Sequence, residues 1–121
     1  MPQAALRLAE AFCPGPVTIV FPHEGTTVGF RIPDHPFVLE LLKAFGRPLA
    51  ATSANRSGEP TSLNVEEALA RLEGSPELVI DAGPIAADAQ ASTVIFAEGA
   101  ASFKVLRPGP VTEAQIKAAL N

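Results

Sequence analysis

Two arginines and one run of small polar residues are the parts of this 121-residue sequence best suited to chemistry. Arg31 lies near the end of an apolar, β-branched run and is soon followed by Pro33. Its guanidinium is a planar fork that meets a carboxylate with two parallel hydrogen bonds. The residues alone also allow a surface arginine paired with Asp34 or Glu24. Thr27 stands four residues earlier, and even spacing along a strand puts both side chains on one face. A threonine there equally suits a strand for its β-propensity.

Ser53-Ala54-Asn55-Arg56-Ser57-Gly58-Glu59-Pro60 follows another apolar run directly. Such a string supplies hydroxyls and backbone N–H groups at the end of a strand, where open sheets commonly bind ligands, and Gly58 permits close approach. In isolation it reads better as an ordinary Asn/Ser/Gly turn. It is not a Walker loop, because Gly-Lys-Ser/Thr is absent. Ser92 and Arg107 flank a last pair of apolar runs, and a lone arginine before Pro108-Gly109 is more often solvated than functional. His23 and His35 have no further ligands at metal-like spacing. Cys13 has no adjacent His or Lys to activate its thiol. No Ser–His–Asp or paired-carboxylate arrangement stands out, and Asp81 has no assigned role.

Positioning these residues requires a sheet. Ala5, Leu8, Ala9 and Phe12 predict a helix over 3–12, stopped by Pro14-Gly15-Pro16. Val17 to Phe21 predicts a buried strand, turned at His23-Glu24-Gly25 into a second strand over 26–32 as a hairpin. Pro33-Asp34 opens a second helix with an apolar face of Val38, Leu41, Leu42 and Phe45, ended by Gly46. Short strands are predicted at 48–52 and 78–81. Between them lies a helix capped by Asn64 with Glu67 as capping-box partner, its inner face Val65, Ala68, Leu69 and Leu72. Strands at 92–97 and 102–106 follow, then a last helix capped by Thr112 and Gln115. The expected class is α/β (α+β), a mixed sheet with helices packed on it, in one domain over 1–121.

Composition narrows the partners. The chain is 47% hydrophobic and 18% charged, with a net charge of −4 and nine Lys and Arg spread thinly. It has no basic stripe of the kind that grips nucleic acid by its phosphates. A lone cysteine suits a reducing compartment. No apolar run approaches the roughly 20 residues that span a bilayer, and residues 1–10 lack a signal peptide's layout. The cytoplasm is therefore the expected location.

Four motifs now stand in order: Pro14-Gly15-Pro16-Val17-Thr18; Thr27-Val28-Gly29-Phe30-Arg31-Ile32-Pro33; Ala51-Thr52-Ser53-Ala54-Asn55-Arg56-Ser57-Gly58; and Ser92-Thr93-Val94 with Leu106-Arg107-Pro108-Gly109. Each is weak alone. In register, across essentially the whole chain, they closely resemble the threonylcarbamoyl-AMP synthase (YrdC-like) family. The resemblance implies a YrdC-like mixed twisted β-sheet with helices around it. It implies an enzyme of the nucleotidyltransferase class that joins threonine, bicarbonate and ATP into threonylcarbamoyl-AMP and pyrophosphate. Magnesium would accompany ATP, held mainly by phosphates and water. Partner proteins would use the adenylate to modify adenosine in tRNA.

The resemblance also assigns residues. Thr27, Ser53, Thr61 and Arg107 match ATP contacts; Arg31, Ala51 and Ser92 match threonine contacts; Asn55, Ser57 and Gly58 form a supporting loop. The resemblance leaves the catalytic residue unknown, and no residue is assigned as a metal ligand. Two departures stand out. Cys13 occupies a position that is usually tryptophan in the family, and the family's domain begins well before Met1. That front part carries a Tyr/Thr-rich strand and a Lys-x-Arg motif that help hold the ATP phosphates. The expectation is a domain incomplete at its N-terminal end, poorly active alone, with an open sheet edge that invites self-association or a partner fragment. The alternative is a catalytically incomplete nucleotide- or RNA-binding module. The negative charge counts against RNA.

Overall fold

The computed structural model describes residues 1–121. They form two compact units, Met1–Pro48 with Gln90–Asn121, and Leu49–Ala89. In the first unit, β1 (Val17–His23) and β2 (Thr26–Arg31) make an antiparallel hairpin. Glu24 and Gly25 close it with φ of 47° and 79°, the positive angles that a twisted two-residue turn needs. β3 (Thr93–Glu98) pairs parallel to β1, and β4 (Ser102–Arg107) returns antiparallel beside β3. The sheet order is β2-β1-β3-β4, so the sheet is mixed, as expected.

Strand alternation gives the sheet two unlike faces. Val17, Ile19, Phe21, Thr93, Ile95 and Ala97 are buried, while the intervening Thr18, Val20, Val94 and Phe96 are half-buried. α1 (Gln3–Phe12) packs on the buried face through Ala4, Ala5 and Leu8. α4 (Glu113–Leu120) packs against α1 and adds Ile116 and Leu120 to the same core. Arg7 Nη1 donates to the Leu120 carbonyl at 3.1 Å, satisfying an acceptor at the end of α4. At the other end of α4, Thr112 and Gln115 form the expected capping box.

The chain between β4 and α4 is pinned to the start of β3. Thr93 Oγ1 accepts from the Val111 N–H and donates to the Val111 carbonyl, both at 3.0 Å. Gly109 passes so close that a Cβ there would stand 2.6 Å from the Thr93 nitrogen and 2.8 Å from the Ala91 carbonyl oxygen. Only glycine fits this crossing.

α2 (Pro36–Phe45) begins later than the Pro33-Asp34 expected to open it. His35 is its N-cap, with Nδ1 accepting from Val38 N–H at 3.4 Å, and Pro36 takes the first helical turn. Gly46 ends it with φ 76°. None of its apolar residues is fully buried.

The second unit has one helix, α3 (Val65–Arg71), and no strand. Asn64 Oδ1 accepts from Glu67 N–H at 2.8 Å as expected, but the Glu67 carboxylate accepts from Leu63 N–H, one residue upstream of a true capping box. The strands expected at 48–52 and 78–81 do not form. A strand is held by its ladder, and neither run has a strand beside it. Leu49, Leu78, Val79 and Ile80 are exposed, so apolar character alone did not give them a sheet position.

Candidate functional site

The pairing register builds the site on the half-buried face of the first unit's sheet. Thr18 on β1 stands opposite Arg31 on β2 and beside Val94 on β3, and Val94 stands opposite Arg107 on β4. One row thus crosses all four strands with an arginine at each end, roughly 14 Å apart at three strand spacings. Ser92 lies two residues before Val94 and shares its face. Ser92 is only 6% exposed, and its Oγ lies 2.7 Å from Thr18 Oγ1.

Arg107 reaches back to the same residue. Its Nε and Nη2 donate to the Ser92 carbonyl at 3.1 and 2.8 Å, and Nη2 also donates to Ser92 Oγ at 3.1 Å. Only Nη1 of its fork is without a protein partner. Arg107, matched by resemblance to an ATP contact, is in this structure first a brace for Ser92.

Arg31 and Ser92 line one open hollow of about 370 Å³, together with Gly15, Pro16, Asp34 and Gln90. Arg31 forms no ion pair within 4.0 Å; Glu24 lies instead 3.7 Å from His23. The pairing of Arg31 with Asp34 or Glu24 that the sequence also allowed is therefore not made. The hollow offers a free cationic fork, a hydroxyl and a carboxylate, a set that suits a small ligand carrying both charges. Thr27, opposite Pro22, shares the Arg31 face. It sits four residues along β2, roughly 13 Å away, and does not line the hollow.

The remaining residues matched by resemblance, Ala51, Ser53, Asn55, Ser57, Gly58 and Thr61, belong to the second unit. Asn55 Nδ2 donates to the carbonyls of Arg56 and Glu59 at 2.9 and 3.0 Å, and Gly58 adopts φ 83°, so the loop braces itself. Arg56 Nε donates to the Arg71 carbonyl at 2.9 Å, tying the loop to the end of α3. Asn55 and Ser57 line a separate hollow of about 320 Å³ with Arg56, Leu72 and Glu73. Ala51, Ser53 and Thr61 are exposed and line neither hollow. The loop was expected to leave the end of a strand, and no strand leads into it.

Two residues in or beside the first hollow were not singled out by sequence as site residues. Asp34 was read as a surface partner or helix opener. Thr18 stood inside a quoted motif without a role. Its signal was available, since it is the polar residue between the buried Val17 and Ile19. Nearby, burial pushes the Cys13 thiol up, with a backbone hydrogen bond from Ile32 pulling the other way. A thiol held neutral fits the inert packing role expected of it.

The family model covering Sua5, YciO and YrdC proteins, described as telomere recombination, matches residues 1–109. The chain belongs to the Sua5–YciO–YrdC family. A threonylcarbamoyl-AMP synthase of Mus musculus is 42% identical over 123 residues, covering 88% of this chain and 43% of the mouse protein. One of Bacillus subtilis is 32% identical over 131 residues, covering 99% and 37%. A putative one of Mycobacterium tuberculosis is 36% identical, covering 100% and 59%. This Sua5–YciO–YrdC chain thus spans between 37% and 59% of the length of these relatives. The crystal structure of P. abyssi Sua5 complexed with L-threonine superposes with a TM-score of 0.81 at 34% identity, covering 98% of this chain and 37% of that one.

Proposed function

We propose that this chain serves the synthesis of threonylcarbamoyl-AMP, with its threonine site in the hollow lined by Arg31 and Ser92. The observation that carries the reading is the free guanidinium of Arg31 facing the same hollow as the braced hydroxyl of Ser92. The threonine-bound state of a structural relative and the names of the sequence relatives support it.

In this reading the Arg31 fork takes the threonine carboxylate in a two-bond geometry, with Ser92 as a further threonine contact; the resemblance also assigns Ala51 to threonine, although Ala51 does not line this hollow. Thr27, Ser53, Thr61 and Arg107 contact ATP, and the Asn55, Ser57, Gly58 loop supports them. The threonine amine adds to the bicarbonate carbon with loss of water, giving a carbamate. A carbamate oxygen attacks the α-phosphorus of ATP, the bond from that phosphorus to the bridging oxygen breaks, and pyrophosphate leaves with the electron pair. Such a nucleotidyl transfer depends on positioning and charge stabilisation, which suits a site without an activated nucleophile. The chain brings no three His, Cys, Asp or Glu residues together. Magnesium arriving with ATP would be held mainly by phosphates and water. The adenylate would pass to proteins that modify tRNA. No helix is long and apolar enough to cross a membrane, and a lone cysteine suits a reducing compartment such as the cytoplasm.

A second reading, a binding module without catalysis, is favoured by one observation. Arg107 spends most of its fork on Ser92, which leaves few cations to face a triphosphate. Pyrophosphate release, measured with and without threonine and bicarbonate, separates the readings. Release that needs both and falls in Arg31→Ala supports synthesis. Release that ignores threonine contradicts it. Threonine binding with no release supports the binding module.

A further inference from the structure

We propose that Thr18 is a positioning residue for the threonine site, acting through Ser92 to make its hydroxyl a dedicated donor. This rests on the reading of the Arg31–Ser92 hollow as a threonine site. A serine hydroxyl has one proton to give and two lone pairs to offer. Arg107 Nη2 can only donate, so its 3.1 Å contact fills one lone pair of Ser92 Oγ. The second polar neighbour is Thr18 Oγ1 at 2.7 Å, where either oxygen can be the donor.

An acceptor in the hollow decides the direction. A carboxylate has no proton to give, so Ser92 must donate to it, and Thr18 must then donate to Ser92. The result is a directed chain from Thr18 through Ser92 to the carboxylate, with Arg107 holding the second lone pair. Hydrogen bonds in such a chain polarise and strengthen one another. The fold also fixes Thr18 independently of any ligand. The β1–β3 register sets it beside Val94, and β1 alternation turns it away from the core. Thr18 is thus tied to a residue 74 positions away in the chain by a contact that the core does not need. Without the Thr18 hydroxyl, Ser92 keeps an unfilled lone pair and loses the donor that strengthens its own bond to the carboxylate.

Calorimetric titration of L-threonine into the full chain tests this with Thr18→Val, Thr18→Ser, Ser92→Ala and the double variant Thr18→Val/Ser92→Ala. Thermal melts verify that each is folded. Thr18→Val should weaken binding about 3- to 10-fold, the worth of one neutral hydrogen bond, and Thr18→Ser should bind like wild type. In the Ser92→Ala background, Thr18→Val should have no further effect, which a purely structural role would not produce. Unchanged binding in Thr18→Val, or the same loss with and without Ser92, overturns the proposal while leaving the threonine site standing. A folded wild-type chain that does not bind threonine overturns the site reading and this inference with it.

Discussion

Both units of this chain carry many apolar residues, though all seven phenylalanines lie in the first, and the two end in different states. In Met1–Pro48 with Gln90–Asn121, every strand has a ladder partner, and ten apolar residues close a core between the sheet and the α1–α4 pair. In Leu49–Ala89, Leu78 is 77% exposed, Ile80 50% and Ile85 52%, and the only regular element is α3. Apolar runs became strands only where the topology gave them a neighbour to pair with. The candidate threonine site lies in the first unit, on the face of the sheet that the core does not use.

Substitutions in the two units should therefore differ sharply. Ile95 is fully buried at the centre of β3, so Ile95→Ala should cost about 2–5 kcal/mol by urea denaturation. A cost near zero would mean that the sheet is not the stability centre. Thr93→Val should come next, at about 1–3 kcal/mol. It strands both the N–H and the carbonyl of Val111, which Thr93 Oγ1 now satisfies. A neutral result would show that the crossing after β4 is held by packing alone. Leu78→Ala should change stability by no more than about 0.5 kcal/mol, as expected of a surface position. A loss comparable to that of Ile95→Ala would show that the second unit is more closely packed than its exposure indicates.

The same contrast explains what could be read from the sequence. The β1–β2 hairpin was legible because its turn and alternation are local, and α4 was legible from Thr112 and Gln115. The runs at 48–52 and 78–81 have the same apolar character, yet strand pairing is decided by partners that a local pattern cannot supply. The row from Arg31 through Thr18 and Val94 to Arg107 needed the parallel β1–β3 register, which no short-range signal encodes. Family motifs pointed to Arg31, Ser92 and Arg107. Only the fold revealed that Arg107 braces Ser92, and that Thr18 stands between Arg31 and this pair.

The most direct test of the account is titration of L-threonine into wild-type chain and into Arg31→Ala and Arg31→Lys. Arg31 is exposed and unpaired at the hollow, so its fork is free to take a carboxylate, though partly screened by solvent. Arg31→Ala should weaken binding about 10-fold or more, which is on the order of 1.4 kcal/mol. Arg31→Lys should restore only part of the loss, because a point charge cannot reproduce the two-bond fork. Equal affinity in wild type and Arg31→Ala would remove Arg31 from the site and contradict the account.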